Sequence, residues 1–194
     1  MKPTELNPLL EEYGLTFIRK RKEDLERKAN PQDMRRVLDY LMKELNISAS
    51  NIEKCPSILY WNVDSVIQNY KFLESKEIYN YNIETCLHIL STNPDSLKET
   101  YEYVLENYGI DTINKTTSIL KESKERIQEV ESLLMPYLSK EALIGAIISR
   151  HTPQELEEIV KVCFQNNVEV TSTVFKQSKE EIEKIINVCR KNNI

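Results

Sequence analysis

The sequence predicts an all-α protein: a right- or left-handed solenoid of about six helical repeats of ~30 residues, each a short helix, a turn and a long helix. Three observations carry this. First, Asn30–Ile47 (NPQDMRRVLDYLMKELNI) aligns without a gap on Asn93–Ile110 (NPDSLKETYEYVLENYGI), 63 residues later. Both open with Asn-Pro, carry Tyr40 or Tyr103 at the eleventh position and close on Ile. Second, an apolar anchor recurs at Met34, Val66, Leu97, Ile127, Leu156 and Ile182, with spacings of 32, 31, 30, 29 and 26 residues. Third, four residues before each anchor stand Asn30, Asn62, Asn93, Ser123, Thr152 and Ser178, all good helix N-caps. Asn, Ser, Thr and Asp fill only 47 of 194 positions, so six caps in six places exceeds chance.

The elements follow in order. Residues 1–29 read as an N-terminal capping segment with a charged helix, roughly Leu15 to Lys28, whose run RKRKEDLERK is polar nearly all round. Residues 30–194 read as one continuous solenoid domain. Its long helices begin at the six caps, with Pro31, Pro94 and Pro153 at the first helical position, where a missing N–H costs nothing. Thr152 with Glu155, and Ser178 with Glu181, have capping-box spacing. An apolar stripe continues four residues past each anchor at Leu38, Tyr70, Tyr101, Val160 and Ile186, and seven past at Leu41, Leu73, Val104, Leu134, Cys163 and Cys189. Glu131 interrupts it, with Val130 beside it as the substitute. The short helices end in apolar pairs: Ile58-Leu59, Ile89-Leu90, Ile119-Leu120, Ile147-Ile148 and Val174-Phe175. Gly14 and Gly109 read as helix C-caps. Three glycines and seven prolines are too few for the many turns of an all-β fold.

Charge restricts the function classes. The net charge is −5, against wholesale binding of a phosphate backbone. The distribution is uneven: residues 1–45 hold ten basic and nine acidic side chains, and the remainder carries −6. No apolar run approaches the ~20 residues of a membrane span; the longest is Ala142–Ile148. The N-terminal MKPTELNPLLEEYG resembles neither a secretory signal nor a transit peptide, so a cytoplasmic protein with reduced thiols is expected.

The stretch KCPSIL (Lys54 to Leu59), the long amphipathic helix after it, and endings such as Glu106-Asn107-Tyr108-Gly109-Ile110 resemble the repeats of the mitochondrial transcription termination factors, the mTERF family. That family's units are about thirty residues with a Pro-x-apolar-Leu signature near the end of the first helix, matched here by Pro56-Ser57-Ile58-Leu59. In the other units Leu87, Thr117, Gly145 or Ala146, and Thr173 take the proline's place. The resemblance spans residues 30–194 in spacing. It implies an all-α solenoid whose concave groove holds double-stranded DNA, and a regulatory role in transcription.

Candidate sites are of two kinds. For a nucleic acid, the strongest footprint is Arg19, Lys20, Arg21 and Lys22 with Arg27, Lys28, Arg35 and Arg36; Lys121, Lys124, Arg126 and Arg150 extend it near junctions between short and long helices. Positions 19, 22 and 26–27 share one helix face, and 20, 24 and 28 another. Glu23, Asp24 and Glu26 interleave the run, so a solvated, internally paired cap is the competing reading. For a protein partner, Trp61, Tyr79, Tyr81 and Tyr103 form an aromatic cluster of the kind that interface hot spots use.

Nothing in the sequence points to catalysis. G-x-G-x-x-G, P-loop and G-x-S-x-G are all missing. Adjacent carboxylates such as Glu157-Glu158 and Glu180-Glu181 read as solvated faces or first-turn acids. Cys55 and Cys86, and Cys163 and Cys189, hold equivalent places in successive units and read as buried structural thiols; no C-x-x-C pair suits zinc. His88 and His151 stand in no metal or triad spacing. The expectation is a non-catalytic binding protein with no metal, cofactor or small-molecule substrate, whose partner is a nucleic acid or, alternatively, a protein held by an adaptor surface.

Overall fold

A computed structural model describes residues 3–15, 30–78 and 83–191. All regular structure among them is helical. The chain divides into two compact units, Met1–Lys121 and Glu122–Ile194. The expected helix over Leu15–Lys28 lies, past Leu15, outside the described residues.

Unit 1 opens with a helix the sequence pattern did not announce, α1 (Pro3–Glu12). Leu6, Leu9, Leu10, Tyr13 and Leu15 are buried, at the three-to-four-residue spacing of a single helix face and its exit turn. Then come α2 (Pro31–Asp39), α3 (Ala49–Lys54), α4 (Val63–Ser75), α5 (Ile83–Leu90), α6 (Pro94–Tyr108) and α7 (Ile110–Lys115), with 3-10 segments at Pro56–Tyr60 and Thr117–Lys121. The long helices α2, α4 and α6 pack each on the next, and α5 packs against α3 and the Thr117–Lys121 segment. Unit 2 holds α8 (Lys124–Leu134), α9 (Lys140–Ile147), α10 (Pro153–Gln165) and α11 (Lys179–Lys191), with a 3-10 turn at Val174–Lys176. There α10 packs between α8 and α11.

All six expected caps are made. Side-chain oxygens of Asn30, Asn62 and Asn93 accept from the backbone N–H of Gln32, Asp64 and Asp95 at 2.7–2.9 Å. Those of Ser123, Thr152 and Ser178 accept from Arg126, Glu155 and Glu181 at 3.2–3.3 Å. Both capping boxes close, since Glu155 and Glu181 accept in return from the N–H of Thr152 and Ser178. All six anchors are buried. Tyr70 and Tyr101 recur in one packing motif. The ring six residues past an anchor, Tyr40 or Phe72, meets edge-on the ring four past the next anchor, at 6.3 Å for Tyr40–Tyr70 and 5.3 Å for Phe72–Tyr101. Burial pushes the Tyr40 phenol up to about 12.

Several helix ends close in the same way. Asn46, Glu77 and Asn167 take left-handed φ values of 53°, 57° and 55°, each followed by an aliphatic residue, as Gly14 (70°) precedes Leu15. Ile78 and Val168 then donate to the carbonyls of Leu73 and Cys163 five residues back, the bond of a Schellman closure. In the first long helix the corresponding bond spans six residues, Ile47 N–H to Leu41 C=O, because a π-helical turn at Tyr40–Glu44 absorbs one extra residue. Gly109 (φ 82°, ψ 165°) ends α6 and starts α7 directly.

Two short helices break in the middle. Cys55, at φ −127° and ψ 62°, separates α3 from its 3-10 continuation, as the residue before Pro56 must leave the helical region. Thr116 breaks at φ −137° and ψ 59° without a proline. There the hydroxyl of Thr117, which stands in the proline's place, donates to the Ile113 carbonyl at 3.1 Å. Gly145 is required by a close approach: a β-carbon would sit 2.6 Å from Ser172 Cβ and 2.7 Å from its Cα.

Two variants test this account by urea denaturation. Gly145→Ala forces α9 and the Ser172 backbone apart and is expected to lower stability by about 1–3 kcal/mol. Glu77→Gly removes the steric cost of a left-handed glutamate and is expected to raise it by about 1 kcal/mol, less the entropy glycine adds to the unfolded chain.

Candidate functional site

The cationic candidates are used in three ways. Arg19, Lys20, Arg21, Lys22, Arg27 and Lys28 lie outside the described residues. Arg35 and Arg36, on α2, are turned to carboxylates: Arg35 grips Glu12 with two parallel bonds of 2.6 and 2.8 Å, and Arg36 stands 3.7 Å from Asp64. The Glu12 clasp ties α1 to α2, beside Asp39, which accepts from the Tyr13 hydroxyl at 2.7 Å and pairs with Lys43 at 2.6 Å. The Arg35 bond holds Glu12 below the ordinary carboxylate range, and the Lys43 bond does the same for Asp39. Both clasps are therefore fully formed above that range and are lost only as pH falls through the lowered values beneath it.

Arg126 is the most informative of the set. Its Nη2 donates to the carbonyls of Ser149 (3.1 Å) and His151 (2.9 Å), and its Nε lies 3.0 Å from the Glu122 carboxylate. Its side chain is 23% exposed. The guanidinium fastens the turn between α9 and α10 to the start of α8. In unit 1 the amide of Asn69 does the same: its Nδ2 donates to Leu90 C=O (3.1 Å) and Thr92 C=O (2.9 Å) in the turn between α5 and α6. In both turns the accepting carbonyls are the seventh and fifth before the next anchor. Lys124 opens α8, Lys121 is exposed at the end of the Thr117–Lys121 segment, and Arg150 is exposed in the turn before α10.

Of the aromatic candidates, Tyr79 and Tyr81 lie outside the described residues. Trp61, half-buried, follows the Pro56–Tyr60 segment, and Tyr103, half-buried, lies on α6. The exposed aromatic surface lies elsewhere, in unit 2. Tyr137, 61% exposed, stands edge-on to Phe164, 50% exposed, at a centroid distance of 6.2 Å, and Met135 is 57% exposed. Met135 and Phe164 are the eighth residues past their anchors, as is the exposed Leu105 of α6. That spacing was the available sequence signal: an apolar residue one step beyond the stripe, where the helix turns outward.

Two buried thiols lie among the described residues. Cys55 Sγ lies 3.2 Å from His88 Nδ1, a contact between neighbouring short helices 33 residues apart in sequence. Burial nonetheless pushes the Cys55 thiol up, as it does for Cys163, so both sit as protonated thiols rather than nucleophiles. Among the described residues no cluster of three His, Cys, Asp or Glu side chains could hold a metal, and no helix is long and apolar enough to cross a membrane. No family model, curated protein or solved structure matches this chain.

Arg126→Ala is expected to lower stability by about 2–3 kcal/mol, because it strands two turn carbonyls and removes the ion pair with Glu122. Arg126→Lys should recover little of it, since an ammonium cannot reproduce the fork. A urea midpoint unchanged in both variants would return Arg126 to the free surface cations.

Proposed function

We propose that this protein is a non-catalytic helical-repeat scaffold, its two-helix units stacked as a solenoid, that binds a partner protein through an apolar surface at the ends of its long helices. The exposed Tyr137–Phe164 pair, with Met135 exposed at the end of α8, carries the reading. Large aromatic side chains left in water at the end of two packed helices are what a partner's helix or loop desolvates on docking. The recurrence of an exposed apolar residue at the same register in α8 and α10 supports it. The net charge of −5, the pairing of Arg35 and Arg36 with surface carboxylates and the turning of Arg126 onto backbone carbonyls favour a protein over a phosphate backbone. On this reading the protein is cytoplasmic, where buried thiols such as Cys55 stay reduced.

A second reading, duplex DNA binding in the manner of the mTERF family, rests on the basic run Arg19–Lys22 with Arg27 and Lys28, and on the exposed Arg150. Pro56–Leu59 and the repeat spacing support it.

One pair of measurements separates them. The double variant Tyr137→Ala/Phe164→Ala keeps its helical circular dichroism, because both rings are solvent-exposed, and should lose a partner protein that the wild type retains, by at least about tenfold in affinity. A mixed-sequence duplex titrated at low salt should leave its fluorescence anisotropy unchanged. Retention unaffected by the double variant sinks the protein-binding surface. Duplex binding that weakens steeply with added salt instead establishes the second reading.

A further inference from the structure

We draw no further inference here: the strongest candidate, the exposed apolar face of α11 at Ile185 and Val188 with the groove beside it lined by Val168, Val174, Ile182 and Ile186, carries nothing because nothing in the structure shows what covers it.

Discussion

The turn between each short helix and the long helix that follows is the place on which the rest of the structure depends. The short helix ends with carbonyls that have no intrahelical donor, and the long helix begins with N–H groups that have no acceptor. Packed against a neighbouring unit, neither set can be left to water without cost. The N–H groups are met locally, by the cap residue four positions before the anchor. The carbonyls are met from the preceding long helix, by the Asn69 amide in one turn and the Arg126 guanidinium in another. The same two carbonyl positions are served although the donors differ in type and in place, three residues after the anchor for Asn69 and one before it for Arg126. What is fixed is therefore the need at the turn, and each bond also sets how closely one long helix lies against the next unit.

The two solutions are not equivalent. A guanidinium is all donors, and Arg126 spends its own on two carbonyls and a carboxylate, leaving no acceptor to satisfy. An amide brings an acceptor with its donors. Asn69 is 1% exposed, and its Oδ1 is buried without a hydrogen-bond partner. That orphan costs about 1–3 kcal/mol, against two bonds that would otherwise be lost. The amide's merit is size: it closes the clasp inside a packed face, at a position filled elsewhere by Val37, Val130 or Ile159.

This explains which parts of the fold were legible in the sequence. Caps, anchors, capping boxes and the stripe are local relations within four to seven residues, so composition and spacing carry them, and the structure has all six caps and anchors in place. The π-helical turn at Tyr40–Glu44 depends on where the following Ile47 must land, which no local pattern states. The break at Thr116 was concealed because no proline marks it; Thr117, in that place, donates its hydroxyl to the Ile113 carbonyl. Helix α1 falls where the pattern of units had not begun. Arg126 looked like a surface cation since its partners, Ser149 and His151, lie more than twenty residues away. The Tyr137–Phe164 pair was hidden for the same reason: a tyrosine beyond the end of α8 meets a phenylalanine on α10 only once the helices pack.

Register also separates two kinds of exposed apolar residue that composition alone confounds. Ile185 occupies a position that the other five long helices bury, so its exposure follows from what covers α11 and not from a choice of residue. The eighth position past the anchor is different. It points outward in general, and the chain fills it with Met42, Glu74, Leu105, Met135, Phe164 and Arg190. Charged side chains satisfy that position in α4 and α11, so nothing in the packing of a long helix demands an apolar one there. An aromatic or aliphatic group at a site where the fold accepts a charge gains nothing from the core. By that criterion the exposure of Met135 and Phe164 follows from the choice of residue, and that of Ile185 from the place of α11.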